Sequence, residues 1–145
     1  MGNLLRSKLT EYVIAPDGVK LNGLGSMMDQ YLKQNLADIG YKVKQAQAIN
    51  GSISIEIENS IAVTVFFEGD RIRIENGIGS RPDLHLISSY ALFANVLSGK
   101  ANPLIEIIRG NIKLGSFLKR PIQALKMLRF FKIPSEFRIP TSQKN

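Results

Sequence analysis

The segment between Gly99 and Gly115 constrains the fold more than any other part of the sequence, because it carries signals for a helix end, a helix start and a strand. Gly99 suits the left-handed backbone conformation that ends many helices. Asn102 is a good helix cap, and Pro103 follows at the first helical position, where its missing N–H removes no hydrogen bond. Residues 104–108 are mostly apolar, and residues 111–114 predict a strand. The segment therefore indicates two successive helices and a return strand.

Upstream of this segment, apolar residues recur at spacings typical of one long helix and several short strands. In residues 21–39 they lie three and four positions apart and end at Gly40, which predicts an amphipathic helix. Asn50-Gly51, the commonest two-residue hairpin signal, lies between residues 43–49 and 53–58, which we interpret as paired strands. Further strands are predicted at residues 61–67, 71–75, 83–87 and 111–114, and further helices at residues 90–97 (capped by Ser88 or Ser89) and 120–132.

These elements predict an α+β fold with a sheet of about five strands, covered on one face by helices. The sheet is predicted to be mostly antiparallel, since the early connections are too short for a parallel crossover. A chain of 145 residues is typical of a single domain. We place that domain at residues 21–134, with residues 1–20 as an N-terminal extension and residues 135–145 as a C-terminal tail.

Positive charge is concentrated at the C-terminal end of the chain. Residues 1–108 contain 10 Lys and Arg against 11 Asp and Glu, whereas residues 109–145 contain 9 against 1, within a net charge of +7. This asymmetry favours an anionic partner, such as a phospholipid surface, a phosphate-bearing ligand such as an acyl-CoA, or nucleic acid. Nucleic acid is the least favoured of the three, because the sequence has no nucleic-acid-binding motif.

The last predicted helix separates apolar from basic side chains. At about 100° per residue, one arc contains Ala124, Leu125, Met127, Leu128 and Phe131. The opposite arc carries the basic side chains Lys119, Lys126, Arg129 and Lys132, with Ile122 and Phe130 on or beside it. Cations next to apolar side chains suit a helix that lies at an anionic membrane surface or contacts a ligand phosphate. A face that is only solvated is the alternative.

The sequence carries no set of residues typical of an enzyme or a metal site. It has no cysteine and a single histidine, His85, without the Gly-x-Ser-x-Gly elbow or the ordered triad that would make it a general base. Gly77-Ile78-Gly79 lacks the third glycine of a phosphate-binding loop and predicts only a connection between strands. We therefore predict a binding protein rather than an enzyme, with no metal and no cofactor.

The order of these signals resembles that of sterol-carrier-protein-type (nonspecific lipid-transfer) domains. In that family a Gly-Lys-x-Asn-Pro turn separates two helices, a glycine-bounded strand containing a lysine follows, and an Asp-led strand comes before. The corresponding segments here are Gly99-Lys100-Ala101-Asn102-Pro103, residues 110–115, and Pro82-Asp83-Leu84-His85-Leu86. The resemblance covers residues 50–131, although Gly115 follows Gly110 by five residues where the family has six. It implies that the Asp83 carboxylate accepts hydrogen bonds from nearby backbone N–H groups.

The resemblance also implies a hydrophobic tunnel between the sheet and the helices that holds a fatty acid, acyl-CoA, sterol-like or isoprenoid lipid. Apolar residues of the helical layer, each of which alone indicates ordinary core packing, would line this tunnel: Phe93, Leu97, Leu104, Ile107, Ile108, Phe117, Leu118, Leu125, Leu128 and Phe131. The implied function is non-covalent lipid binding and transfer, with exchange at membranes. The alternative is an accessory protein that presents a lipid or quinone intermediate to a partner biosynthetic enzyme.

The ends and the longest apolar runs of the sequence bear on where the protein resides. The N-terminal residues lack the apolar core of a signal peptide, and no run approaches the roughly 20 apolar residues that span a bilayer. We therefore expect a cytoplasmic location, with peripheral membrane association where the basic helix contacts lipid.

Overall fold

The computed structural model describes residues 12–15, 20–79, 81–115 and 120–131, which form one six-stranded sheet and five helices. The strands are β1 (Val13–Ile14), β2 (Asn50–Ile57), β3 (Ala62–Glu68), β4 (Ile72–Asn76), β5 (Leu84–Ser88) and β6 (Lys113–Leu114). The helices are α1 (Gly23–Asp38), α2 (Lys42–Gln47), α3 (Tyr90–Leu97), α4 (Pro103–Ile108) and α5 (Pro121–Phe131). None of the helices in this part of the chain combines the length and apolar character needed to cross a bilayer.

The sheet is mixed, with strand order β1-β4-β3-β2-β5-β6. The β2–β3, β3–β4 and β5–β6 pairs are antiparallel, whereas β1 pairs with β4, and β2 with β5, in parallel. The α+β class is confirmed, but the prediction of about five mostly antiparallel strands is wrong. Short connections fix only the β2–β3–β4 meander. They do not fix where the chain re-enters the sheet, and it re-enters on the far side of β2.

The connection from β4 to β5 passes β3 and β2 on the face of the sheet that lies away from the helices. Gly79 marks this path, since its N–H donates to Thr64 Oγ1 at 2.8 Å and to Ser54 Oγ at 3.2 Å. The two hydroxyls lie 2.7 Å apart on neighbouring strands. The glycine pair around Ile78 therefore serves as a connection between strands, as the sequence predicts.

Residues 43–49, predicted as a strand, instead contain the helix α2, so the predicted Asn50-Gly51 hairpin is wrong. Lys42 and Ala46 lie one helical turn apart and are both buried, which is the period of a helix rather than of a strand. Lys, Gln and Ala are also better helix formers than strand formers. Asn50 and Gly51 begin β2, where they pair with Glu68 and Phe67.

The edge strand β1 was not predicted. It lies within the segment that the sequence interpretation placed in an N-terminal extension, and Val13, which pairs with Ile72, is 1% exposed. A strand of two residues gives too short an alternation of apolar and polar side chains to be recognised in the sequence.

The stop and start signals between α3 and α4 are confirmed in detail. Gly99 has a φ of 83°, the left-handed conformation that favours glycine after a helix. Asn102 Oδ1 accepts a hydrogen bond from the Leu104 N–H at 3.0 Å, and Pro103 occupies the first turn. Ser89, one of the two predicted caps, accepts from the Leu92 N–H at 3.2 Å and begins α3. These local contacts fix the position of both helices relative to β5.

Candidate functional site

An apolar pocket lies between strands β2 and β5 and the helices α3, α4 and α5. Its walls come from both layers: Ile53, Ile55, Leu86, Ser88, Phe93, Val96, Pro103, Ile112, Leu128 and Phe131. Phe93, Leu128 and Phe131 were predicted from the sequence as ligand-binding residues. The sheet residues were not, although the strict alternation of Ile53 and Ile55 with polar neighbours already indicated which face is buried.

The pocket is nearly closed, with a volume of about 20 Å³. Binding sites for small molecules typically enclose about 300–1,000 Å³, so this space holds no acyl chain as it stands. The described residues therefore do not form the continuous tunnel that the resemblance implies. The walls are nevertheless as apolar as the resemblance implies, since Ser88 is the one polar residue among those that line the pocket. The Ser88 hydroxyl donates to the Ser89 carbonyl at 2.9 Å.

The other predicted ligand-binding residues lie outside this pocket. Leu104 and Ile107 are half-buried and pack against the edge of the core. Leu97 lines a separate, larger groove between α1 and α3. Ile108 is 83% exposed and Leu125 is 39% exposed. Phe117 and Leu118 lie outside the described residues.

The helix α5 is rotated relative to the predicted arcs, which changes its surface. Its buried residues include Phe130, which is 0% exposed and packs edge-on against Phe67 with ring centroids 5.3 Å apart. The placement of Phe130 on or beside the basic arc was therefore wrong. The α5 face turned to solvent carries Ile122, Leu125 and Arg129, and Ile122 is 71% exposed.

Of the four basic residues predicted to contact a membrane or a phosphate, the structure describes two. Lys126 is half-buried, and its ammonium donates to the Ala48 carbonyl at 3.3 Å. Arg129 is exposed. Lys119 and Lys132 lie outside the described residues. A new feature is an exposed apolar surface on two helices that pack together, which we call the α4–α5 patch: Ile105, Ile108, Ile122 and Leu125.

The N-terminal end of α5 is held to the sheet by an ion pair. Asp83, which is 8% exposed, accepts two hydrogen bonds from the Arg120 guanidinium, both at 2.9 Å, and one from the Ser52 N–H at 2.9 Å. The expectation that this carboxylate accepts from a backbone N–H is confirmed. A Cβ on Gly51 would lie 2.6 Å from Asp83 Oδ2, so a glycine is needed where the carboxylate approaches the strand.

The C-terminal end of α5 is capped by side chains from α1 and the start of α2. The Tyr31 hydroxyl donates to the Phe131 carbonyl at 3.3 Å, and the Lys42 ammonium donates to the Phe130 carbonyl. Both carbonyls belong to the last turn of α5, where carbonyl groups have no N–H partner within the helix. The positive charge of Lys42 also complements the negative end of the helix dipole. Burial nevertheless lowers the pKa of Lys42 from 10.5 to about 8.

The pKa of Lys42 predicts how stability depends on pH. Between about pH 8 and pH 10.5 the unfolded chain binds more protons than the folded protein at this residue, so the free energy of unfolding should rise with pH. Burial raises the pKa of Tyr31, which opposes this trend above pH 10. Urea unfolding at pH 7.5, 8.5 and 9.5 is expected to show the rise. It should flatten in Lys42→Met, and an equal slope in the two proteins would contradict the assignment.

His85 lies on the sheet face opposite the pocket. Its Nε2 is 3.0 Å from Glu56 Oε1, and its backbone carbonyl accepts from the Gly115 N–H at 2.8 Å. These contacts give the histidine a structural partner on each side. The side chain therefore lies away from the apolar pocket.

Comparison with solved structures identifies the fold. Sterol carrier protein 2 from Yarrowia lipolytica is 19% identical, with a TM-score of 0.55, over 77% of this chain and 93% of that protein. A sterol carrier protein domain from Helicoverpa armigera is 16% identical, with a TM-score of 0.55, over 86% of this chain and 99% of that domain. The ubiquinone synthesis protein UbiJ-SCP2 is 10% identical, with a TM-score of 0.52, over 75% of this chain and 85% of that protein.

These likenesses show that the chain has the fold of sterol carrier protein 2 domains, as its sequence resemblance predicts. No family model matches the sequence, and no curated protein matches it. At this level of sequence identity the likeness concerns the fold alone.

Proposed function

We propose that this protein binds a hydrophobic ligand non-covalently between its sheet and its helices and exchanges it at membranes. The observation that carries the proposal is the apolar pocket beneath α3, α4 and α5, in a fold shared with sterol carrier proteins. None of the described residues that line it is ionisable, which favours binding over a reaction at this place.

Ligand entry requires the pocket to widen, and α4 is the element best suited to move. This six-residue helix is apolar at five positions, yet only Pro103 among them is buried. Moving it outward therefore takes one buried side chain, Pro103, and two half-buried ones, Leu104 and Ile107, away from the core. Burial of an acyl chain supplies about 0.8 kcal/mol per CH₂, so ten methylenes would contribute roughly 8 kcal/mol gross to offset the rearrangement.

The α4–α5 patch suits a membrane surface as the place of exchange. Ile108 and Ile122 project apolar side chains into water on helices that also border the pocket. Two exposed cations lie beside this surface: Arg109 directly follows α4, with its guanidinium 3.6 Å from Glu106, and Arg129 lies on α5. Apolar side chains next to cations are typical of surfaces that dock on anionic bilayers. Docking there would bring the mobile wall of the pocket to the lipid.

A second candidate function is the presentation of a quinone or lipid intermediate to a biosynthetic enzyme. The observation that favours it is the likeness to UbiJ-SCP2, which is described as a ubiquinone synthesis protein. The two candidates share the pocket and differ in the partner. A stable enzyme complex that co-purifies with the protein supports the second candidate, and exchange with vesicles alone supports the first.

Filling the pocket should weaken ligand binding without abolishing the fold. Val96 lines the pocket, and Val96→Phe places a ring where the ligand must enter. The probe is Nile red, a neutral dye whose fluorescence rises in apolar surroundings. Its affinity is expected to fall about tenfold or more, because a blocked cavity can no longer bury its apolar surface. Val13→Phe adds the same volume to the core on the edge strand β1, three strands away from β2, and serves as the matched control.

Both variants are expected to lose stability, typically about 1–3 kcal/mol, as overpacked cores do. Urea unfolding of each establishes that the comparison is made on folded protein. Equal affinities for the probe in Val96→Phe and in the parent would contradict binding in this pocket.

A further inference from the structure

A groove with a volume of about 430 Å³ lies between α1 and α3. One face of α1 forms a wall from Met27 to Asp38, and the end of α3 forms the other with Ala94, Leu97 and Ser98. The groove is open to solvent along one side. Its volume falls within the range of small-molecule sites, in contrast to the nearly closed pocket beneath α4.

The groove combines apolar side chains with polar side chains that are uncharged except for Asp38. Met27, Ile39 and Leu97 supply the apolar surface. Gln30 and Gln34 are exposed one turn apart on α1 and present carboxamides, which both donate and accept hydrogen bonds. Asn35 adds a third carboxamide, whose Nδ2 donates to the Tyr31 carbonyl at 2.8 Å. Such carboxamides suit a hydroxyl, carbonyl or amide group.

The charges around the groove disfavour an anionic group. Among the described residues, those that line it include no lysine or arginine, and the one carboxylate is Asp38. Burial raises the pKa of Tyr31, which therefore stays neutral at physiological pH. The nearby ammonium of Lys33 is paired with Asp29 at 3.2 Å. A carboxylate or phosphate placed here would lose hydrating water without gaining a contact to a cation, whereas anion-binding sites usually provide a cationic side chain.

A stacked pair of aromatic rings links the lining of the groove to the lining of the apolar pocket. Tyr31 lines the groove and Phe131 lines the pocket, and their rings are stacked with centroids 5.8 Å apart and planes 21° apart. Two neighbouring residues of α3 also line different spaces: Leu97 lines the groove and Val96 lines the pocket.

From this arrangement we infer that the groove and the pocket are two halves of one ligand site. The apolar tail of a lipid occupies the pocket, and an uncharged polar head, such as an alcohol or a ketone, lies in the groove against Gln30 and Gln34. The Tyr31–Phe131 pair links the two halves. This inference rests on the proposed function and narrows its ligand class to neutral lipids, against fatty acids and acyl-CoA.

The experiment compares two ligands that differ only in the head. 1-Dodecanol and dodecanoate are titrated against bound Nile red at pH 8, where the carboxylic acid is ionised. The parent protein is expected to bind dodecanol about tenfold more tightly, because the carboxylate loses water without gaining a cation. Tighter binding of dodecanoate by the parent would overturn the neutral-head inference while leaving the proposed function intact. Binding of neither compound, nor of Nile red, would overturn both.

A charge placed in the groove tests where the head lies. Gln34→Lys adds an ammonium inside the groove and should shift the preference toward dodecanoate by about three- to tenfold. Gln47→Lys adds the same charge at an exposed position on α2 that does not line the groove, and should leave the ratio unchanged. An equal ratio in the parent and in Gln34→Lys, with both ligands bound, would place the head elsewhere.

A second pair of variants tests the groove without changing its charge. Leu97 is half-buried, so Leu97→Trp fills the groove from its edge at small risk to the core. It is expected to weaken dodecanol about tenfold, since the head loses its space. Leu92→Trp adds the same ring on α3 at a half-buried position that lines neither cavity. Parent-like binding by Leu97→Trp would overturn the inference.

Discussion

Replacing Ile108 and Ile122 together by aspartate is expected to abolish co-sedimentation of the protein with vesicles that contain phosphatidylserine. Each isoleucine contributes about 1.5–3 kcal/mol when its side chain leaves water. Each new negative charge near an anionic surface costs about 1 kcal/mol. The double variant therefore loses about 5 kcal/mol or more of attraction, on the order of a thousandfold or more in partitioning.

The matched control for this variant is Ile78→Asp. Ile78 is 48% exposed beside Gly79, which hydrogen-bonds to the sheet face away from the helices, so the substitution has the same chemistry on the opposite side of the protein. The control should sediment like the parent. Binding of the parent should also weaken between low and physiological salt, where the screening length shortens to about 8 Å. Equal sedimentation of the double variant and the parent would remove the α4–α5 patch from the account.

Replacing Asp83 by alanine is expected to lower the free energy of unfolding by about 2–3 kcal/mol. The change leaves the Ser52 N–H without its acceptor and leaves the Arg120 guanidinium without its carboxylate. Hydrogen bonds to charged groups are worth more than neutral ones, and a buried partner left unpaired adds a desolvation penalty. Arg120 is half-exposed and can turn to water, which keeps the loss below that of a fully buried pair.

Two further variants separate the parts of this effect. Arg120→Gln removes the ion pair but keeps the hydrogen bond from Ser52, so its loss in urea unfolding should be about 1 kcal/mol. Asp70→Ala removes an exposed carboxylate and should change stability by less than about 0.5 kcal/mol. A loss in Asp83→Ala no larger than that in Asp70→Ala would show that the carboxylate does not hold α5 to the sheet.

The sequence predicted well the features that depend on local chemistry. The cap at Asn102, the left-handed Gly99 and the helix end before Gly40 each depend on a few neighbouring residues, and each stands where it was predicted. The alternation of Ile53, Ile55 and Ile57 likewise identified the buried face of β2. The contact of Asp83 with a backbone N–H was implied by family resemblance rather than by the pattern alone.

The errors arose where distant parts of the chain decide the outcome. The helix α2 replaced a predicted strand because Lys42 and Ala46 are buried against other elements, and a short run shows no such contacts in its own sequence. The parallel pairing of β5 with β2 depends on a return across the sheet, which no local signal specifies. Phe130 is buried because Phe67 and Phe131 surround it, although the helix period alone placed it near the basic arc.

The candidate site, too, was predicted in part from local sequence and in part depends on contacts between distant elements. Phe93, Leu128 and Phe131 were identified as apolar residues of the covering helices, and the family resemblance implied that such residues line a ligand site. The groove between α1 and α3 was not predicted, since Gln30, Gln34 and Asn35 look like an ordinary solvated helix face until a second helix is placed opposite them. Only the packing of α1 beside α3 shows that this face lines a cavity.

The central claim is that the protein holds a hydrophobic molecule in the pocket beneath α3, α4 and α5. Mass spectrometry of organic extracts from the purified protein tests it most directly, with Val96→Phe prepared in parallel. The account predicts a lipid that is stoichiometric with the parent protein and reduced about tenfold in the variant, in line with its lost burial. Lipid at the same trace level in both extracts, together with no uptake of added lipid by the parent, would contradict it.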